Sequence, residues 1–67
     1  MLKTITYKAA RVNRGFTLKE ASVILGIRPA TLLNYEKGYT NPKSETLRKM
    51  ANLYGCEVTD FKEVSGE

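Results

Sequence analysis

Two short helices are predicted near the middle of the chain, and a glycine separates them. Thr17 is a good N-cap, and Glu20 three residues later completes a capping box, so a helix is expected to begin at this point. Gly26 ends that helix, because the left-handed conformation after a helix costs glycine almost nothing. Pro29 suits the first turn of a second helix, where its missing N–H would have had no partner. The two predicted helices span residues 18–25 and 29–37.

Apolar side chains recur along both predicted helices with the spacing of a buried face. In the first helix they are Ala21, Ile24 and Leu25. In the second helix they are Leu32 and Tyr35. Two such short helices cannot be stable alone, since helix nucleation is costly and the pair buries little surface. The pattern therefore indicates a helix-turn-helix motif whose second helix is held at a defined angle by the rest of the chain.

The rest of the chain supplies three more predicted helices and no strand pattern. Gly15 and Gly55 end the first and fourth helices, and Thr59 is a plausible N-cap for the fifth. Residues 38–43 combine Gly, Asn and Pro and mark a turn. The sequence thus predicts one compact all-α domain of five helices over residues 1–67. The additional helices are placed at 3–14, 44–54 and 59–63, with a frayed tail over 64–67.

The predicted core combines the inward faces of the helices with side chains at the turns between them. Phe16 stands at the position before the Thr17 cap, where a hydrophobic staple residue packs, and Ile27 fills the turn after Gly26. The complete set is Tyr7, Ala10, Phe16, Ala21, Leu25, Ile27, Leu32, Tyr35, Leu47, Met50, Ala51, Tyr54, Val58 and Phe61.

Length and composition exclude several classes of protein. With 67 residues, the chain is near the lower limit for folding on a hydrophobic core alone. Its sole cysteine, Cys56, cannot form an internal disulfide and favours a reducing, intracellular setting. No apolar run approaches the roughly 20 residues that a membrane span needs, and the N-terminus has no signal-peptide pattern. We therefore expect a cytoplasmic protein without a membrane anchor.

The residue types needed for catalysis or metal binding are scarce. There is no histidine, and one cysteine with one aspartate, Asp60, cannot build a zinc site of the usual four-ligand kind. No glycine-rich phosphate loop occurs, and so short a chain leaves little room for a sheltered pocket. We expect no enzymatic activity, no metal or other cofactor, and no small-molecule ligand.

Positive charge is concentrated in the part of the chain that contains the two central helices. The net charge is +4 overall. Residues 1–43 carry eight Lys/Arg against two Glu, a balance of +6, whereas residues 44–67 carry three against five acids, a balance of −2. Such a basic surface is expected where phosphates approach, although charge alone is also compatible with an ordinary solvated face.

Several short motifs follow one another in a fixed order. R-x-x-x-G-F-T begins at Arg11, L-G-I at Leu25 and Y-E-K-G at Tyr35. Asn-Pro at Asn41 and E-T-L at Glu45 come next. In this order and spacing, the sequence resembles the Cro/CI-type helix-turn-helix family, also called the XRE family, over most of its length. The resemblance implies a lambda-repressor-like fold in a bacterial or phage-encoded, nucleoid-associated repressor. Such a protein would bind double-stranded DNA, as a dimer, with the second helix of the motif in the major groove.

The resemblance also implies roles for individual residues. Arg11 is expected to form a salt bridge with Glu36 and so to tie the first helix to the recognition helix. Arg28 can present two donors to guanine, and Asn34 can bond adenine in the same paired manner. Thr31 is explained equally well as a helix stabiliser. The expected base contacts are Arg28, Ala30, Thr31, Leu33 and Asn34. The expected phosphate contacts are Thr17, Lys37, Tyr39, Thr40, Asn41 and Lys43.

Some positions depart from the family pattern and support a rival hypothesis. Leu18 stands where the family usually has a glutamine that clamps a phosphate, and Pro29 replaces a polar residue. The same fold could therefore act as a protein-interaction module, as in an antirepressor or antitoxin, through an exposed apolar patch. DNA binding is favoured because the +6 balance lies where the phosphates would be. The rival patch comprises Leu18, Val23, Ile24, Pro29 and Leu33. The candidates for a dimer surface, each also a core candidate, are Tyr54, Val58, Phe61 and Val64.

Overall fold

In the computed structural model, the described residues are 5–61, and they form four α-helices followed by one 3-10 turn. An isolated parallel bridge joins Ile5 to Phe61, and no strand occurs within residues 5–61. None of the helices in this part of the chain is long and apolar enough to cross a membrane. The predicted all-α class is confirmed. The elements are α1 (Tyr7–Asn13), α2 (Leu18–Leu25), α3 (Pro29–Lys37), α4 (Ser44–Tyr54) and the 3-10 turn Val58–Asp60.

The first helix is shorter than the predicted span of 3–14. It begins at Tyr7, because Thr6 has an extended backbone and its hydroxyl accepts a hydrogen bond from a first-turn amide at 3.1 Å. Ile5 lies outside the helix, since its N–H donates to the Asp60 carbonyl at 3.3 Å. The first two residues of the predicted span lie outside the described part of the chain. A long-range backbone contact therefore sets where α1 can start.

The helices α2 and α3 have the bounds expected from the sequence. The Thr17 hydroxyl accepts from the Glu20 amide at 3.1 Å, and the Glu20 carboxylate accepts from the Thr17 amide at 2.9 Å. Gly26, with φ of 74°, and Gly38, with φ of 79°, take the left-handed conformation just after each helix. Pro29 is the first residue of α3. Local signals thus fix both ends of the pair.

The predicted fifth helix, 59–63, is not an α-helix within the described residues. A 3-10 turn at Val58–Asp60 takes its place, and Phe61 after it has an extended backbone. The Asp60 carboxylate accepts from the amide three residues before it at 2.9 Å, which closes the turn on itself. Because Ile5 donates to the Asp60 carbonyl, the chain pairs with the N-terminal segment and does not continue as a helix. The prediction of five helices is therefore wrong: the described chain has four.

The core lies where the four helices meet, with Leu32 and Met50 fully buried. Phe61 closes one end of it, since its ring centroid is 4.9 Å from that of Tyr7 and 6.4 Å from that of Tyr54, both edge to face. The buried apolar residues are Tyr7, Ala10, Ala21, Leu25, Leu32, Met50, Ala51 and Tyr54. Packed against them and half-buried are Phe16, Ile27, Tyr35, Leu47 and Phe61. Val58 is also half-buried.

One residue assigned to a buried face is in fact exposed. Ile24, predicted to share the inward face of α2 with Ala21 and Leu25, is 57% exposed. Ser22 is buried in its stead, and its hydroxyl donates to the Lys19 carbonyl at 2.8 Å. A serine can be buried where helices pack together when its hydroxyl is hydrogen-bonded to the backbone of its own helix. The orientation of α2 therefore differs from the one that the apolar spacing predicts.

Tyr54 places a phenol in the core without a hydrogen-bond partner. The residue is 3% exposed, and its hydroxyl has no partner among the described residues. Burial, and to a lesser extent the charge of the Glu36 carboxylate, raise the pKa of Tyr54 from 10.0 to about 12. A buried hydroxyl that gives up water without a replacement destabilises the fold.

We expect Tyr54→Phe to raise the free energy of unfolding by about 1 kcal/mol at neutral pH, because it removes the unpaired hydroxyl. The gap between variant and parent should widen from pH 10 to pH 12. In that range the phenol of the unfolded chain ionises while the folded one keeps its proton. Unfolding of the parent therefore becomes easier as pH rises, whereas Tyr54→Phe has no phenol at this position and is not affected in this way. Urea unfolding at a series of pH values measures both effects, and Tyr39→Phe, at a largely exposed ring, is the control. A gap that stays constant over this range would contradict the raised pKa.

Candidate nucleic-acid interface

A buried ion pair ties α1 to α3. Arg11, in the last turn of α1, places Nε 2.7 Å from Glu36 Oε2 and Nη2 3.2 Å from Glu36 Oε1. The side chains are only 10% and 3% exposed. The third group, Nη1, donates to the Phe16 carbonyl at 2.9 Å. The guanidinium therefore joins three segments, and it forms the salt bridge that the sequence analysis predicts.

The two faces of α3 differ sharply in burial. Leu32 is fully buried and Tyr35 is half-buried against the core. Thr31 is half-buried. The residues on the outward face are exposed: Ala30, Leu33, Asn34 and Lys37. Arg28, which precedes α3, is exposed as well, so four of the five candidate base contacts are accessible. The fifth, Thr31, is the half-buried one.

The candidate residues Arg28 and Thr17 differ in which of their groups are already hydrogen-bonded. Arg28 is the N-cap of α3 and is exposed, and its side chain makes no capping hydrogen bond. The Thr17 amide and hydroxyl are both engaged in the capping box with Glu20. The Thr17 hydroxyl can still donate its hydrogen to a phosphate, but its backbone N–H is already used.

The loop after α3 continues the same surface. The Tyr39 amide donates to the Asn34 carbonyl at 2.9 Å, which folds the loop back against the end of the helix. The Lys37 ammonium lies 6.0 Å from the centroid of the exposed Tyr39 ring. Lys43 is the exposed N-cap of α4 and makes no side-chain capping bond. Thr40 and Asn41 are exposed between them.

No exposed acid opposes the positive charge along this stretch. Between residues 28 and 43, the three cations Arg28, Lys37 and Lys43 are exposed, whereas the single acid, Glu36, is buried in its pair with Arg11. The exposed charges within this stretch are therefore all of the sign that attracts an anion. Within residues 5–61, no group of three or more His, Cys, Asp or Glu side chains is placed to hold a metal ion.

Of the five apolar residues of the rival hypothesis, one is packed and four are exposed. Leu18 is half-buried against the core, so it packs instead of protruding. Val23 and Ile24 are exposed on α2, whereas Pro29 and Leu33 are exposed on α3. The proposed dimer residues Tyr54 and Phe61 serve the core, Val58 is half-buried, and Val64 lies outside the described residues.

Two structural contributors were missed by the sequence analysis. The Phe16 carbonyl holds the Arg11 guanidinium, and a backbone acceptor leaves no trace in the identity of the side chain. Leu53 is half-buried against the core on α4. Its spacing of three from Met50 could have indicated this position.

These features define a helix-turn-helix unit with an exposed second helix. A protein-family model described as helix-turn-helix matches residues 8–61. The match includes α2, α3, α4 and all but the first residue of α1. The chain belongs to the Cro/CI-type (XRE) helix-turn-helix family.

Two curated relatives illustrate what this chain is similar to. It is 44% identical over 54 residues to the HTH-type transcriptional regulator ImmR of Bacillus subtilis. The aligned region covers 81% of this chain and 42% of the relative. This chain is 38% identical over 51 residues to the cryptic phage CTXphi transcriptional repressor RstR of Vibrio cholerae, which covers 76% of this chain and 46% of the relative. The chain thus spans less than half the length of these relatives. No solved structure matches it with comparable significance.

We expect Arg11→Ala to lower the free energy of unfolding by about 3–5 kcal/mol, because it leaves the Glu36 carboxylate buried without its partner. Joint replacement of Arg11 by Met and Glu36 by Leu should restore most of that loss, since the apolar pair needs no compensating charge. Urea unfolding of the single and double variants measures the coupling. Arg48→Ala, at an exposed position of α4, is the control. A loss for Arg11→Ala no larger than for the control would show that the pair does not hold the helices together.

Proposed function

We propose that the chain binds double-stranded DNA in a sequence-specific manner and acts as a transcriptional repressor by occupying its site. The observation that carries this proposal is the orientation of α3. Its apolar side is buried through Leu32, while its outward side presents an amide and cations, and no acid between residues 28 and 43 is exposed apart from the part of Glu36 outside its ion pair. The names of the relatives, a transcriptional regulator and a transcriptional repressor, support the same function.

In this proposal α3 enters the major groove and its outward side chains read base edges. Asn34 offers paired hydrogen bonds to an adenine, and Arg28 offers them to a guanine. Ala30 and Leu33 present methyl groups, whose natural partner is the thymine methyl. Thr31 contributes its hydroxyl at the margin of the contact. Both polar base readers are exposed, and neither caps a helix with its side chain.

Phosphate contacts would surround the reading helix on its C-terminal side. Lys37 and Lys43 supply charge, and the loop between them supplies polar groups. Contacts of this kind set position and affinity but carry no base information. The residues proposed for them are Lys37, Tyr39, Thr40, Asn41, Lys43 and the hydroxyl of Thr17.

The proposal extends to the assembly and setting of the protein. Residues 1–67 would form one lambda-repressor-like helix-turn-helix unit that binds as a two-fold dimer in the bacterial cytoplasm. Two copies of α3 would then lie about 34–36 Å apart, one turn of DNA, and would read an inverted repeat. A partner-binding role in place of DNA binding is disfavoured, because Leu18 packs on the core and adds nothing to an exposed apolar patch.

Selection from random duplex DNA at a fixed salt concentration tests the function directly. An enriched motif, arranged as an inverted repeat, is the expected result. If no motif is enriched while the protein is folded by circular dichroism, sequence-specific binding is rejected. If the motif occurs only once per bound duplex, the proposed dimer is rejected, but sequence-specific DNA binding is not.

Asn34→Ala should weaken binding to the selected site by about 1–3 kcal/mol and relax the choice at one base position. The reason is that a paired hydrogen bond to one base edge is lost while the phosphate contacts stay. Fluorescence anisotropy with the selected site and its single-base variants measures both effects. Asn52→Ala, at an exposed amide of α4, is the matched control. An equal preference profile for Asn34→Ala and parent would remove Asn34 from the list of base contacts.

Lys43→Ala should weaken binding to all sequences alike and lower the slope of log affinity against log salt by about 1. The charge at the N-cap of α4 would neutralise one phosphate, and its loss releases one counterion fewer. Titrations at several salt concentrations, with Lys49→Ala as the exposed-lysine control, give the two slopes. An unchanged slope for Lys43→Ala would place Lys43 away from the phosphates.

A further inference from the structure

A groove opens between the end of α2 and the middle of α4. It holds about 320 Å³ and is lined by Ile24, Leu25, Lys49, Asn52 and Leu53. None of these residues belongs to α3 or to the loop that follows it. Ile24 at the rim is 57% exposed, and Val23 beside it is 69% exposed. The groove is therefore separate from the residues proposed to contact DNA.

The exposed pair on α2 has no task in the fold. Ala21, Ser22 and Leu25 supply the buried side of α2, so Val23 and Ile24 add little to the core. Branching at Cβ also makes both residues mediocre helix formers. Single exposed apolar residues are common, but Ile24 lines a groove together with two other apolar residues, Leu25 and Leu53, and contiguous apolar patches mark interaction sites.

The shape and charge of the groove select one kind of occupant. Three of its lining residues, Ile24, Leu25 and Leu53, are apolar, and the groove lies open between two helices. An amphipathic helix fits such a groove by inserting apolar side chains spaced at i, i+3, i+4 and i+7. Lys49 contributes an ammonium and Asn52 an amide, and none of the five lining residues is acidic. A carboxylate beside the apolar anchors would pair with Lys49.

We propose that the α2–α4 groove is a docking site for an acidic, amphipathic helix of a protein partner. The inference does not depend on DNA binding, because α3 stays free when the groove is filled. A second copy of the chain is a poorer occupant: a two-fold contact here would bring the Lys49 ammonium groups of both copies into one small interface. A small molecule would need more enclosure and more convergent polar groups than one ammonium and one amide supply.

A display library of short amphipathic helices tests the proposal. Its anchor positions vary among Leu, Ile, Phe and Ala, and its flanking positions among Glu, Lys and Ala. Selection uses the whole chain without DNA, so that its outcome is independent of the proposed function. The expected winners carry large apolar anchors with Glu at a flanking position. Ile24→Glu should reduce their affinity about tenfold to a hundredfold, the loss expected for one buried side chain.

Two further variants make the result specific to the groove. Lys49→Glu, at an exposed position, should change the preferred flanking residue from Glu to Lys without disturbing the fold. Val12→Glu alters a comparably exposed apolar residue on α1 and should leave the affinity unchanged. Ile24→Glu should bind any selected DNA site as the parent does, which separates loss of docking from loss of structure.

Three outcomes would overturn the proposal. The first is the absence of helices enriched by the parent over Ile24→Glu. The second is a flanking preference that Lys49→Glu does not change. The third is self-association of the parent in sedimentation that Ile24→Glu abolishes, since the groove would then be covered by a second copy.

Discussion

The Arg11 guanidinium connects α1, α3 and the segment before α2, and these contacts set the orientation of α3. Two of its N–H groups bond the Glu36 carboxylate near the end of α3, and a third bonds the Phe16 carbonyl just before α2. A buried pair of this kind adds little net stability, because desolvation of both charges offsets their attraction. Its hydrogen bonds are directional, however, so the pair fixes how α1 and α3 lie relative to each other.

The four helices of the described chain are too short to persist without one another. The longest, α4, has 11 residues, and isolated helices of that length are marginal in water. Their stability comes from the shared core around Leu32 and Met50, which are fully buried. A change at this centre would therefore alter the angle of α3 as well as the stability of the fold. The scaffold and the proposed reading surface therefore depend on the same core packing.

The exposed surface is divided by chemistry. The outward side of α3 and the following loop carry cations and polar groups, and their one acid is buried in the pair with Arg11. At the end of α2, the exposed Ile24 instead lines a mainly apolar groove against α4 that contains a single ammonium. These surfaces use different residues, so contacts on one leave the other accessible.

Local signals in the sequence determined the ends of α2, α3 and α4, because caps, glycines and a proline act within one helical turn. The resemblance to the family predicted the pair of Arg11 with Glu36. The local Thr6 cap marks the start of α1, but tertiary structure decided that Ile5 pairs with Asp60 and that no fifth α-helix forms in the described chain, since that bond joins residues far apart in sequence. It also decided that α2 buries Ser22 and exposes Ile24. The apolar period specifies a stripe along a helix, but the helices packed against it choose which part of that stripe is covered.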